Sequence, residues 1–89
     1  MTHQREKVLI NFKKTRSLMD KLITMVESDE YCVKIMQQNL AALGLLKSAH
    51  QMLMENHLNT CFKAAMQTAS STKKQTMIDE ILAVTKLIK

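Results

Sequence analysis

With 89 residues the chain has room for one small domain. Pro is absent, Gly44 is the lone glycine and aromatic residues make up 3%, which excludes hairpin-rich sheets and cores built on large rings. A net charge of +5 favours an anionic partner such as nucleic acid or acidic lipid, and it fits a solvated basic surface equally well.

The first predicted helix covers roughly 3 to 27, with Val8, Phe12, Met19, Leu22, Ile23 and Val26 at helical spacing. Ser28, Asp29 and Glu30 then offer an N-cap and first-turn acids for a second helix over about 30 to 66. Gly44 lies inside it, at ~1 kcal/mol less favourable than Ala. The polar run Thr68 to Thr72 is the one linker, and Thr72 with Gln75 resembles a capping box opening a third helix over about 73 to 88. Met77, Ile78, Ile81, Leu82, Val84, Leu87 and Ile88 form its apolar positions.

The expected fold is therefore all-α, a single domain over 1–89 built as a three-helix protomer around one long central helix. At ~1.5 Å per residue that helix would span about 55 Å, more than two shorter helices of its own chain can cover. An antiparallel copy of itself would cover it, which implies a dimer bundle or a higher assembly. No apolar run approaches the ~20 residues of a membrane span and the start of the chain shows no signal-type stretch, so the cytoplasm is the expected compartment.

In such a chain, two cysteines read as ligands or redox groups before they read as a disulfide. His57 and Cys61 are four residues apart and share a helix face. Cys32 precedes His57 by 25 residues, about seven turns, and falls on the same stripe. Along one helix, however, Cys32 and His57 would lie ~37 Å apart, so one chain cannot bring all three to a single ion. Antiparallel pairing brings Cys32 of one chain to His57 and Cys61 of the other. Two thiolates and an imidazole form a soft, low-coordinate set suited to Cu(I), while Zn(II) or Ni(II) would call for a fourth ligand. A Met at helical spacing is core filler more often than ligand, so Met54, and His50 on the same stripe, are assigned to packing.

The segment from Glu30-Tyr31-Cys32 to Glu55-Asn56-His57-Leu58-Asn59-Thr60-Cys61 resembles the core of the CsoR-type metal-sensing repressors, whose relatives sense copper, nickel or cobalt, formaldehyde or persulfide. The resemblance covers roughly residues 8 to 89. It implies a tetramer built from antiparallel dimers, Cu(I) ligation by Cys32, His57 and Cys61, and supporting roles for Tyr31 and Glu80. It also implies operator DNA as partner, with Cu(I) weakening that binding. His57 argues against the persulfide branch and Cys61 against most nickel and cobalt sensors. His3 lies about one helical turn from the place of their N-terminal ligand.

The DNA end departs from the pattern. Lys13, Lys14 and Arg16 keep helix one basic, together with Lys7 and Lys21, but two arginines expected from the resemblance are Asn11 and Leu43 here. Neither replacement can grip a phosphate or base edge bidentately. Two alternatives stay open: a thiol sensor for persulfide, oxidant or formaldehyde using Cys32 and Cys61, and a metal-binding helical protein that no longer binds DNA. An enzyme is not expected, because the chain has no Gly-rich phosphate loop, no Ser–His–acid set and no paired carboxylates in one cleft.

Overall fold

In the computed structural model, which describes residues 3–85, every regular element is helical. α1 spans His3–Glu27 and α2 spans Cys32–His57; a π-helical turn over Leu58–Phe62 follows, then a short α3, Lys63–Met66, and α4, Ser71–Thr85. The three helical stretches of the sequence are thus present. Leu87 and Ile88, expected on the last of them, lie outside the described residues. The chain divides into two compact units, Met1–Leu53 and Met54–Lys89.

Within the first unit, α1 and α2 form an antiparallel hairpin whose seam follows a heptad. The residues of α1 that escape exposure are Gln4, Val8, Asn11, Thr15, Leu18, Leu22 and Met25, at alternating steps of four and three. α2 answers with Ile35, Gln38, Ala42, Leu45, Ala49 and Met52, at the same alternation. This is the repeat that keeps two helices facing one another as they coil. Its register is fixed by the Asn11 side-chain amide, which donates to the Leu45 carbonyl at 3.3 Å. Leu22 and Ile35 line one groove, so the chains of contact run in opposite directions. Ala42 and the wholly buried Ala49 keep the helix axes close.

Four of the six residues of the expected α1 stripe therefore face elsewhere. Val8 and Leu22 are buried, whereas Phe12, Met19, Ile23 and Val26 are exposed on this chain, and Asn11 and Thr15 take seam positions instead. The buried Thr15 hydroxyl is satisfied by donating to the Asn11 carbonyl at 2.7 Å.

The loop after α1 corrects a second expectation. Ser28, Asp29 and Glu30 do not supply the N-cap and first-turn acids of α2, which begins at Cys32 with no acid in its first turn; Ser28 instead donates its hydroxyl to the Met25 carbonyl. Asp29 adopts a left-handed conformation, φ 55°, as the residue that ends α1. The Asp29 N–H donates to the Val26 carbonyl at 3.2 Å and the Glu30 N–H to the Met25 carbonyl at 2.9 Å, the paired bonds of a Schellman ending. Glu30 receives the Tyr31 N–H at 3.1 Å, and Tyr31 opens α2 by accepting from the Lys34 N–H at 2.9 Å.

In the second unit Ala65 of α3 is buried, and α3 packs against α4. The expected capping box at Thr72 and Gln75 does not form. The cap is Ser70, whose hydroxyl oxygen accepts from the Lys73 N–H at 3.2 Å, and Gln75 donates to Asp79 at 2.9 Å. Ser70 immediately precedes the first residue of α4, the place where a capping side chain belongs. Among the described residues no helix is long and apolar enough to cross a membrane.

Candidate metal centre

Cys32 is the first residue of α2, and its thiol is free and exposed. Tyr31, immediately before it, is exposed as well. His57 is the last residue of α2 and is half-buried. Cys61, also free and exposed, sits inside the π turn that follows. A π turn closes its hydrogen bonds one residue later than an α turn, so it carries an extra residue; such turns are rare and concentrate at functional sites. A continuous α-helix through this segment was expected from the sequence. Nothing in Leu-Asn-Thr-Cys-Phe marks the departure, since none of those residues breaks a helix.

Thr60 lies inside the same turn. Its hydroxyl donates to the Asn56 carbonyl at 2.6 Å, and the same oxygen lies 3.7 Å from Cys61 Sγ.

His50 and Met54, assigned to packing, are half-buried. Glu80 is exposed on α4. Among the described residues no group of three His, Cys, Asp or Glu side chains converges on a point that could hold a metal ion. The donor chemistry still fits one: two accessible thiols and an imidazole are the soft set that Cu(I) prefers.

Lys7, Lys13, Lys14, Arg16 and Lys21 are all exposed on α1 and free of the α1–α2 seam. Asn11 is half-buried and committed to Leu45, while Leu43 is exposed. The basic face is present. Position 11 does not belong to it.

A family model described as metal-sensitive transcriptional repressor matches residues 4–87. Among similar proteins are three named copper-sensing transcriptional repressor CsoR. The one from Mycobacterium ulcerans is 36% identical over 86 residues, covering 97% of this chain and 71% of its own length. Those from Mycobacterium bovis and Mycobacterium tuberculosis are each 33% identical over 86 residues, covering 97% of this chain and 70% of theirs.

Proposed function

This chain belongs to the metal-sensitive transcriptional repressors, and we propose that it is a copper-responsive one that binds Cu(I) with Cys32 of one protomer and His57 and Cys61 of another. The observation that carries the reading is the pair of free, exposed thiols, one at the first residue of α2 and one in the π turn just past His57. When bound, Cu(I) would supply a short soft bridge between two chains. Everything else follows from what the chain itself provides.

The first requirement is a partner chain. Among the described residues no large side chain is fully buried, and Phe12, Met19, Ile23, Met36, Leu40 and Leu43 lie exposed on one protomer. A small domain that leaves this much apolar surface in water is marginal alone. A second copy laid antiparallel along α2 covers that surface and brings Cys32 towards the partner's His57 and Cys61. Pairs of such dimers would give the tetramer, and Tyr31 and Glu80 would flank the ligands.

The second requirement is a surface for operator DNA. Lys7, Lys13, Lys14, Arg16 and Lys21 give α1 an exposed row of cations, repeated in each protomer. Their contacts would be to phosphates, which position a protein without reading sequence. Ligation ties the start of one α2 to the end of another, and α1 is fixed to α2 by the Asn11 bond, so a change in how two α2 helices sit also moves the cationic rows. The metal releases DNA only to the extent that it favours the form with weaker DNA affinity.

The test is operator affinity by fluorescence anisotropy at several salt concentrations, with and without Cu(I). The apoprotein should bind in a salt-dependent way and release on addition of Cu(I), while Cys32→Ala and His57→Ala should bind and fail to release. Release by both variants would sink the mechanism, and an absence of any salt-dependent binding would favour a metal-binding bundle without a DNA role.

The exposure of both thiols supports a second reading, in which Cys32 and the partner's Cys61 respond to persulfide or oxidant by forming an interchain link. A non-reducing gel after treatment separates the two, since the copper reading leaves the chains monomeric on it.

A further inference from the structure

Met25 and Met52 sit half-buried in the α1–α2 seam, whereas Met19 and Met36 keep 45% and 55% of their surface exposed. Both line one groove along the flank of the hairpin, together with Leu22, Ile23, Val26 and Ile35. Packing within the protomer does not account for them. Met36 also stands four residues after Cys32 on α2, one turn or ~6 Å along the axis, so its thioether and the thiol share a helix face. Cys32 is free and exposed, and all three sulfurs belong to the first compact unit.

Resting on the copper reading above, we propose that Cys32 and Met36 form a capture pair for Cu(I) on one protomer, with the Met19 thioether across the groove as a third sulfur. Thiolate and thioether are both soft ligands, which select Cu(I) over hard cations. Binding sends the Cys32 thiol proton to solvent, while the thioether has none to lose. Met has three rotatable bonds, so its sulfur follows an ion that a stiffer side chain would miss. The pair needs no second chain, so it takes Cu(I) before the partner's His57 and Cys61 close on Cys32. A thioether carries no charge, and the pair holds Cu(I) less tightly than two thiolates and an imidazole. It therefore yields to the three-ligand site once that closes, and to a strong chelator, against which variants lacking His57 or Cys61 count as empty.

The test uses full-length His57→Ala/Cys61→Ala protein, in which the three-ligand site is gone. Its methionine methyl groups are isotope-labelled for NMR and each is assigned by its own Met→Leu variant. Ag(I), an air-stable ion of the same charge and softness, is added anaerobically up to one equivalent per chain. The Met36 methyl should move, and that of Met19 with it, while those of Met25 and Met52 stay in place. Met36→Leu, which conserves side-chain volume, should weaken Ag(I) binding about tenfold or more, and Cys32→Ala should abolish the methyl shifts. A Met36 methyl that does not move, or that moves as far in Cys32→Ala, overturns the pair. So does a Met36→Leu protein that binds Ag(I) like its parent. The copper reading is judged separately, on the unaltered protein titrated with Cu(I) against a strong chelator. If that protein surrenders its Cu(I) while the double variant shows the Met36 shift, the three-ligand site is wrong and the pair stands without its handover. If it keeps Cu(I) while the Met36 methyl is silent, only the pair falls.

Discussion

The Asn11 side-chain amide donates to the main-chain carbonyl of Leu45 across 3.3 Å, joining the middle of α1 to the middle of α2 in the seam of the hairpin. A lone polar residue in a heptad seam commonly fixes which residues face each other rather than adding to stability. Here it does so with a main-chain acceptor, so the bond depends on the donor at position 11 and not on the identity of residue 45. Asn11→Asp replaces that donor by an oxygen of the same size facing a carbonyl. The variant should unfold more easily by about 1–3 kcal/mol at neutral pH. The new carboxyl is better tolerated when protonated, since the acid form can donate as the amide did. Its folded pKa is therefore raised above the unfolded value, and the loss should shrink as pH falls towards ~4. Urea melts at pH 7 and near pH 4 check this. An equal loss at both would show that the bond does not hold the seam.

Asp29 occupies the left-handed position at the end of α1, φ 55°, where glycine carries no side-chain penalty. Asp29→Gly should stabilise the chain by about 0.5–1 kcal/mol, and Asp29→Val should destabilise it by at least as much. The two denaturant midpoints should move in opposite directions. A shift of both in one direction would mean that the side chain, not the backbone angle, governs the site.

Ala49 is wholly buried where the two helices approach. Ala49→Leu adds three carbons to a seam with no room for them, and it should cost about 1–3 kcal/mol through separation of the helices. Thermal unfolding followed by circular dichroism would show the lowered midpoint. An unchanged midpoint would place a cavity beside Ala49 that the present packing does not contain.

These positions mark where the sequence could be read and where it could not. Helix content, the loop near residue 29 and the start of the last helix follow from the lack of Pro, the single Gly and the polar runs. Which face of α1 turns inward does not, because the seam uses Asn11 and Thr15 while larger apolar side chains lie on a second, exposed stripe. A rule that looks for hydrophobic periodicity selects that second stripe. The ligand-type residues were legible from type and spacing, but the π turn under Cys61 was not. It depends on where hydrogen bonds close, which Leu58–Phe62 does not announce. Membership of the repressor family, in contrast, was carried by the Tyr-Cys and His-Leu-Asn-Thr-Cys segments themselves.

The proposed intersubunit site makes a prediction that no single-chain site can meet. Cys32→Ala and Cys61→Ala each remove one ligand from both sites of an antiparallel dimer, so each variant alone should have lost its Cu(I) binding. Mixing the two and allowing protomers to exchange produces dimers with one chain of each kind. In such a dimer, one end pairs the intact Cys32 of the Cys61→Ala chain with the intact His57 and Cys61 of the Cys32→Ala chain, while the other end lacks both cysteines. One site is therefore restored per mixed dimer. With random exchange about half of the dimers are mixed, so binding should recover to about one quarter of the parent's copper per chain. Anaerobic titration after brief unfolding and refolding of the mixture, compared with each variant treated alone, measures this directly. Recovery near one quarter ties Cys32 to the other chain's ligands, whereas a mixture as empty as its components would mean that each chain supplies all of its own.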